Sequence, residues 1–209
     1  MEKIKWKILD LYAGIGGNRK LWGDNYEITA VENVKEIANI YHDFFPKDTI
    51  VVADAHQYLL DHYKEYDFIW SSPPCPTHSR FNLIQEPQGM KIRYPDMALY
   101  QEIILLQKWF KGKYCVENVI TYYKPLIAPQ EVNNHYYWAN FLITPVEKTT
   151  RHIRRQKHDE RLNRVGFNLK KFNLKRTFEK QVINNCVEPE LGEHILNCAL
   201  GKQKQKPLI

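Results

Sequence analysis

The chain is poor in cysteine, and its four cysteines form no CxxC pair. Three of them lie in apolar or helical contexts, which argues against a disulfide framework and against a zinc site. His152 and His158 have no neighbouring cysteine or acidic cluster at ligand spacing. No apolar run is long enough for a signal peptide or a membrane span. We therefore expect a cytoplasmic protein with no metal and no membrane contact.

Acidic residues are scarce in one segment. Between Pro145 and Lys180 there are 12 Lys and Arg against 4 Asp and Glu, a local charge of 12 − 4 = +8. The whole chain carries +6, so the remainder carries 6 − 8 = −2. A basic block on a nearly neutral body is typical of an element that contacts phosphates, although a solvated surface or a basic tail has the same composition.

The first 120 residues alternate short apolar strands with helical patterns. Asp96 can cap a long helix that ends near Phe110, and Pro189 can begin a final helix. This rhythm predicts an α/β protein with a Rossmann-like, doubly wound, mostly parallel sheet that binds ligands at the carboxyl ends of its strands. The predicted strands are 7–12, 28–31, 50–52, 68–70 and 114–116, and the other predicted helices are 17–22 and 34–43.

Residues 10–17 form a strand end, a glycine turn and a helix start. Glycines in such a turn let a ligand approach the backbone closely. Glu32 ends the next strand, where an acid can hold two ribose hydroxyls, and Asp54 follows the third strand, where it can accept a hydrogen bond from an adenine amino group. Each acid alone is equally a helix cap or a solvated residue. Together they favour a ligand that contains ribose and adenine.

A cysteine and a carboxylate follow the next two strands. Cys75 lies in the rigid turn Pro73-Pro74-Cys75-Pro76, and Glu117 ends the fifth strand. A thiolate can attack C6 of a cytosine and leave again, and a carboxylic acid can support N3 during that attack. Taken singly, Cys75 could be a small buried hydrophobe and Glu117 a paired strand-end acid. Together they predict methyl transfer to C5 of a pyrimidine.

The order and spacing of these motifs resemble the cytosine-C5 DNA methyltransferases. Relatives that methylate amino groups carry Asp-Pro-Pro-Tyr or Asn-Pro-Pro-Tyr in the equivalent turn, so a cysteine at position 75 separates the two chemistries. The resemblance covers about residues 7–141 and 181–200. It rests on Asp54 and on the segments 10–17, 31–33, 73–79, 117–119 and 184–189.

The resemblance implies the fold of the class I methyltransferases and S-adenosyl-L-methionine as the methyl donor. Cys75 would be the nucleophile, Glu117 the partner of N3, and Ser79 a neighbour of the target phosphate. The segment 71–95 would close over a flipped base, because the reacting atoms are inaccessible inside a duplex. The implied cofactor contacts are Asp10, Tyr12, Ala13, Gly14, Gly16, Gly17, Glu32, Asn33, Asp54, Ala55, Pro74 and Asn185.

Two residues depart from the family pattern. His135 stands about where the family has an arginine that contacts cytosine O2. A histidine can donate one hydrogen bond there, although a structural histidine in an aromatic strand is an equal alternative. Asn33 replaces the aromatic residue that often follows the ribose-binding acid, which puts adenine stacking at this position in doubt.

The region that should recognise the target is short. We divide the chain into a catalytic domain at 1–142, a basic recognition segment at 143–180 and a returning piece at 181–209. About 40 residues are too few for an independent core, so the segment lies on the catalytic domain, orders on DNA or acts with a partner subunit. The arginines that could reach DNA are Arg80, Arg151, Arg154, Arg155, Arg161 and Arg164.

We therefore expect a DNA (cytosine-5-)-methyltransferase that acts on double-stranded DNA, with a size that suits a phage or a bacterial restriction-modification element. A tRNA cytosine-5 methyltransferase has the same chemistry. A non-catalytic DNA-binding or regulatory subunit could keep the same fold. A fourth possibility is an enzyme that transfers a larger group from an altered S-adenosylmethionine.

Overall fold

A computed structural model describes residues 5–85, 93–146 and 158–202, with the side chains of 84–85 and 158–161 outside the description. These residues form one seven-stranded sheet. The strands are β1 (Lys7–Leu11), β2 (Glu27–Val31), β3 (Thr49–Val51), β4 (Phe68–Ser71), β5 (Lys113–Val119), β6 (Gln130–Val132) and β7 (His135–Ala139). Their spatial order is β3-β2-β1-β4-β5-β7-β6. The first five strands run parallel, and β7 is antiparallel to both β5 and β6. The predicted Rossmann-like fold of the class I methyltransferases is confirmed.

Seven α-helices accompany the sheet in the described part of the chain. They are α1 (Lys35–Phe44), α2 (Ala55–His62), α3 (Phe81–Gln85), α4 (Ala98–Trp109), α5 (His158–Val165), α6 (Arg176–Asn184) and α7 (Pro189–Ala199). Single turns of 3-10 helix lie at Asn18–Leu21, Tyr63–Glu65 and Lys170–Phe172. Within the described ranges, no helix combines the length and the apolar character that crossing a membrane requires.

The core has one apolar layer on each face of the sheet. Successive side chains of a strand point to opposite faces, so neighbouring residues of β1 enter different layers. Leu9 packs in the layer that contains Ile103 of α4, and Ile8 packs in the layer that contains Ile195 of α7. All four side chains are completely buried. Burial on both faces explains why the central strands read as continuous apolar runs.

Local predictions differ from the structure at two helices. The helix predicted after the glycine turn is only the 3-10 turn Asn18–Leu21. Helix α7 packs closely against this turn, because a side chain at Gly192 would collide with the backbone of Asn18. Helix α4 begins at Ala98 rather than directly after Asp96, although the carboxylate of Asp96 accepts a hydrogen bond from the Ala98 amide at 3.0 Å.

The described part of the basic segment packs against the catalytic domain, which is one of the three arrangements that the sequence left open. Helices α5 and α6 contribute to an apolar cluster that includes Val165 and Phe167 together with Ile15 of the glycine turn and Ile40 of α1. Lys20, which follows the glycine turn, also contacts the basic segment. Its ammonium donates a hydrogen bond to the Val165 carbonyl at 2.6 Å and lies 4.5 Å from the Phe167 ring centroid. The described part of the segment therefore lies on the catalytic domain.

Candidate active site

The turn after β4 carries Cys75 in a partly buried position. The Cys75 carbonyl accepts hydrogen bonds from the amides of His78 at 3.0 Å and Ser79 at 3.1 Å, which closes a tight turn behind the thiol. Burial raises the pKa of the Cys75 thiol above its ordinary value, and the negative charge of Glu117 raises it further. In the free protein Cys75 is therefore a thiol that must lose its proton before it attacks.

The strand that carries Glu117 is fastened to the cysteine turn. The side-chain amide of Asn118 donates to the Pro73 carbonyl at 3.0 Å in a buried position. Ser79 forms an isolated β-bridge with Thr121 beyond the end of the strand. Because β4 and β5 are parallel neighbours, their carboxyl ends also lie side by side. The two predicted residues Cys75 and Glu117 are thus brought to one edge of the sheet.

His135 lies beside Glu117. In the antiparallel pair of β5 and β7, His135 is opposite Val119 and Tyr137 is opposite Glu117, so His135 and Glu117 are diagonal neighbours on one face. The His135 Nε2 atom is 3.6 Å from the Glu117 Oε1 atom. The structure therefore places all four residues predicted to be catalytic, Cys75, Glu117, His135 and Ser79, around the ends of β4 and β5.

A pocket opens beside the glycine turn at the end of β1. Its walls are residues 12–15, Gly17 and Asn18 of the turn, Trp70 and Ser72 at the end of β4, and Val182 and residues 185–187 in and after α6. Gly14 has a φ of +56°, and no heavy atom lies within 4 Å of the place where its Cβ would be. A ligand can therefore approach the backbone at Gly14. Asn185, predicted to close the cofactor site, is an exposed residue of this wall.

Glu32 lies at the end of β2 with its carboxylate against the turn. Its Oε2 atom accepts from the Gly14 amide at 3.1 Å, and its Oε1 atom accepts from the Val34 amide at 2.9 Å. Each carboxylate oxygen has a second lone pair, so Glu32 can still accept hydrogen bonds from two ligand hydroxyls. The two amides fix the direction of the carboxylate at the place that the sequence predicted for ribose.

The other predicted cofactor residues differ in exposure. Asp54 is exposed and caps α2, because its carboxylate accepts from the Gln57 amide at 2.8 Å. Ala55 beside it is buried, whereas Asn33 and Pro74 are exposed. Ala13 is buried, and side chains at Gly16 and Gly17 would collide with Phe45 and with Cys186. These two glycines are therefore needed for close packing of the turn.

Asp10 is buried beneath the glycine turn and bonds to Asn18, a residue of the pocket wall. Its side chain is completely buried, and its Oδ1 atom accepts from the Asn18 amide group at 2.7 Å. Its Oδ2 atom is buried without a hydrogen-bond partner. Burial is the main cause that raises the pKa of Asp10 to about 7. The carboxyl group lies inside the protein and not at the pocket wall, so its contact with the rest of the site is through Asn18.

The arginines predicted to contact DNA are only partly within the description. Arg80 is exposed after the cysteine turn, and its Nε atom donates to the Thr121 carbonyl at 3.5 Å. Arg164 pairs with Glu188 at 2.9 Å and is half-buried, so its guanidinium is engaged inside the protein. Three predicted residues, Arg151, Arg154 and Arg155, lie outside the described residues, as does the side chain of Arg161.

Sequence reasoning did not identify Glu102 and His78, two buried residues whose hydrogen bonds support the site. Glu102 accepts hydrogen bonds from Tyr12 and Ser71, and His78 is bonded to the Tyr123 hydroxyl at 2.6 Å. Glu102 had a detectable signal, because it is spaced three and four residues from buried positions of an amphipathic helix. His78 had none, since its partner is 45 residues away.

Among the described residues, no group of three or more His, Cys, Asp and Glu is arranged to hold a metal ion.

The family model described as C-5 cytosine-specific DNA methylase matches residues 6–121, more than half of the chain. The chain belongs to this family. The matched region contains Cys75, Glu117 and the glycine turn. Family membership confirms the resemblance found in the sequence and implies S-adenosylmethionine as the cofactor.

A curated relative matches a smaller part of this chain. It is the tRNA (cytosine(38)-C(5))-methyltransferase of Spodoptera frugiperda, 35% identical over 80 residues, which are 35% of this chain and 24% of that protein. The chain thus matches about a quarter of that relative's length.

Two solved structures are similar to the chain. One is a mutant of Spodoptera frugiperda DNMT2, with 27% identity, a TM-score of 0.38, and coverage of 55% of this chain and 36% of that chain. The other is a SAM-dependent methyltransferase from Agrobacterium tumefaciens, with 12% identity, a TM-score of 0.40, and coverage of 58% and 41%.

The residues of the pocket wall, together with Glu32 and Asp54 outside it, fit the cofactor. The open backbone at Gly14 admits a ligand, and the oriented carboxylate of Glu32 retains acceptors for hydroxyl groups. The exposed carboxylate of Asp54 and the exposed side chain of Asn185 add polar groups, at the start of α2 and in the pocket wall. This donor and acceptor set matches a molecule that carries a ribose, an adenine and an amino-acid end.

Proposed function

We propose that the chain methylates C5 of cytosine in double-stranded DNA through a covalent bond between Cys75 and C6 of a flipped base. The observation that carries this proposal is the placement of Cys75 and Glu117 at the carboxyl ends of the adjacent parallel strands β4 and β5, which the Asn118–Pro73 hydrogen bond ties together. A thiol and a carboxylate so placed can serve the two positions, C6 and N3, that the reaction needs.

In this proposal the proton of the Cys75 thiol passes to Glu117 and from there to N3 of the cytosine. As the Cys75 sulfur bonds to C6, its proton leaves, and the Glu117 carboxylate is the charged group that acts on the thiol. Glu117 can take that proton and donate it to N3, where negative charge would otherwise build up. His135, with its Nε2 atom 3.6 Å from Glu117, is placed to assist at N3 or at O2. After C5 has been methylated, a base or a water molecule takes the C5 proton and the sulfur leaves C6. The proton on N3 then returns through Glu117 to the sulfur, which restores the ring and the thiol.

Bound S-adenosylmethionine supplies an electrophilic methyl group. In this chain Glu32 would hold the ribose, Asp54 would accept from the adenine amino group, and Asn185 would close the pocket over the glycine turn. The Cys75 turn and the glycine turn follow adjacent strands, β4 and β1. Two ligands bound at these turns would therefore meet at the edge of the sheet.

DNA is favoured as the substrate by the description of the matched family and by the basic segment. Base flipping is part of this proposal, because C5 and C6 are shielded in a stacked duplex. A partner subunit that supplies recognition, and a place in a restriction-modification system, belong to the same proposal.

A tRNA substrate is the second candidate, and the observation that favours it is the 35% identity to a tRNA cytosine methyltransferase. The test is methyl transfer from labelled S-adenosylmethionine to duplex DNA and to tRNA under the same conditions, with mass analysis of the product nucleosides. 5-Methyldeoxycytidine supports the proposal. 5-Methylcytidine from tRNA alone overturns the DNA assignment, and a heavier C5 adduct overturns simple methylation.

A further inference from the structure

A buried carboxylate lies behind the cofactor pocket. Glu102 is on α4, and its side chain is completely shielded from solvent. Its Oε1 atom accepts from the Tyr12 hydroxyl at 2.6 Å and is 3.0 Å from Nδ1 of His56, and its Oε2 atom accepts from the Ser71 hydroxyl at 2.6 Å. Taking a carboxylate out of water costs several kcal/mol unless it is well hydrogen-bonded. Three donors on one carboxylate meet that requirement.

The three donors come from different elements, and one of them lines the pocket. Tyr12 lines the pocket and has a left-handed φ of +57°, a conformation that a non-glycine residue keeps only when its surroundings hold it. Ser71 ends β4 and directly precedes Ser72, which also lines the pocket. His56 is the second residue of α2, next to the start that Asp54 caps.

The electrostatics agree with the geometry. Burial and then the charge and hydrogen bond of Glu102 raise the pKa of Tyr12. The hydrogen bond to Glu102 is the main cause that raises the pKa of His56, against the opposing effect of burial. Tyr12 therefore keeps its proton for this bond, and His56 is more readily protonated than a free histidine.

We propose that Glu102 is a positioning residue of the cofactor pocket, whose carboxylate holds Tyr12, Ser71 and His56 in the geometry that binds S-adenosylmethionine. The proposal rests on the proposed function in one respect, which is that the cofactor occupies the pocket beside the glycine turn. Glu102 itself is buried behind the wall and acts through the residues that it holds.

The test measures cofactor binding directly, by titration calorimetry with S-adenosylmethionine on the full chain. Glu102→Leu removes all three bonds, and we expect its affinity to fall about tenfold or more. Glu102→Gln keeps the shape and can rearrange its bonds, because both hydroxyls and the imidazole can exchange donor and acceptor roles. We expect a smaller loss for it. Gln101→Ala, on an exposed position of the same helix, is the matched control and should bind as the wild type does.

A double variant separates positioning from general destabilisation. If Glu102 acts through Tyr12, then Tyr12→Phe weakens binding in the wild-type chain and has little further effect in the Glu102→Leu chain. Equal effects of Tyr12→Phe in both chains would overturn the proposal, as would wild-type affinity in Glu102→Leu. If Glu102→Leu does not fold, the same cycle is run on Glu102→Met, which also removes all three bonds, with the same two outcomes.

The experiment distinguishes a failure of the Glu102 proposal from a failure of the proposed function. A wild-type chain that binds S-adenosylmethionine while the Glu102 variants bind equally well sinks the positioning role and leaves the proposed function intact. A wild-type chain without measurable binding overturns both.

Discussion

The Nε2 atom of His135 lies 3.6 Å from the Oε1 atom of Glu117, across the antiparallel pair of β5 and β7. On the other side of the ring, the Nδ1 atom is 3.3 Å from the Asn133 carbonyl. A carbonyl oxygen only accepts, so this contact places a hydrogen on Nδ1. The Nε2 atom then carries a hydrogen only in the imidazolium form, and that form is the one attracted to the Glu117 carboxylate.

This pair predicts that His135 contributes to the chemical step. We expect His135→Ala to lower kcat by roughly tenfold to a hundredfold, because the variant loses the hydrogen bond that the imidazole would donate to O2 of the bound cytosine, and a hydrogen bond to a charged group is worth about 1.5–3 kcal/mol. His135→Arg should restore part of that loss, since an arginine also donates to a carboxylate or to O2. The measurement is single-turnover methyl transfer at saturating cofactor.

Glu131→Ala is the control for His135, since Glu131 is exposed on neighbouring β6. It should retain wild-type kcat. If His135→Ala also retains wild-type kcat, then His135 is a structural residue of an aromatic strand.

The coupling of Cys75 to Glu117 predicts a pH effect. Glu117 helps to hold the pKa of the Cys75 thiol above its ordinary value, so Glu117→Gln should lower that pKa. The thiolate is the reactive form, so alkylation of Cys75 by iodoacetamide should reach half its maximal rate at a lower pH in the variant. Peptide mass spectrometry separates Cys75 from the other three cysteines. Coincident pH profiles for wild type and Glu117→Gln, with Glu131→Gln as the charge-matched control, would argue that the two groups do not interact.

Asp10 predicts a pH dependence of stability. Burial raises its pKa from 3.8 in the reference state to about 7 in the folded chain. Between these values the folded protein holds a proton that the unfolded chain has lost. The stabilisation from this group is complete below pH 3.8 and is lost as the pH rises to about 7, with a slope on the order of 1.4 kcal/mol per pH unit.

Asp10→Asn removes this titration and keeps an acceptor for Asn18. The free energy of unfolding of the variant, minus that of the wild type, should therefore rise between pH 5 and 7 and level off above pH 7. Urea unfolding at several pH values measures it. A difference that stays constant with pH would show that Asp10 titrates normally.

The packing of the basic segment predicts a cost for truncating Phe167. Its ring is buried, lies against Phe44 with centroids 4.7 Å apart, and receives the Lys20 ammonium. Phe167→Ala should lower the free energy of unfolding by about 3–5 kcal/mol. Thr177→Ala on the exposed side of α6 is the control and should change it little. Equal stability of both variants would mean that the segment does not depend on the catalytic domain.

The sequence predicted the sheet well because buried parallel strands are short, continuous apolar runs with ligand-binding residues at their ends. It predicted that Cys75 and Glu117 lie at one edge of the sheet, because Cys75 comes after β4 and Glu117 lies near the carboxyl end of the parallel strand β5. The short 3-10 turn after the glycines was not predictable, since the packing of Gly192 against Asn18 decides it. Such a contact joins residues more than 170 positions apart, and no local pattern records it.

The apolar packing of the basic segment was not predicted for a similar reason. Its apolar residues are spaced irregularly along the chain, so helical periodicity does not reveal them. They form a cluster only because Ile15 and Ile40 of the catalytic domain complete it. The Glu102 network was also missed, because its donors Tyr12, Ser71 and His56 come from three separate strand or helix ends.

The covalent step at Cys75 is the centre of this account, and one measurement tests it most directly. A DNA duplex that contains 5-fluorocytosine at the target cannot release the enzyme once C5 is methylated, because the fluorine replaces the proton that must leave. With S-adenosylmethionine present, the wild-type chain should form a complex with this duplex that survives denaturing electrophoresis, and Cys75→Ala should form none. A denaturation-resistant adduct in Cys75→Ala would contradict the assignment of Cys75 as the nucleophile.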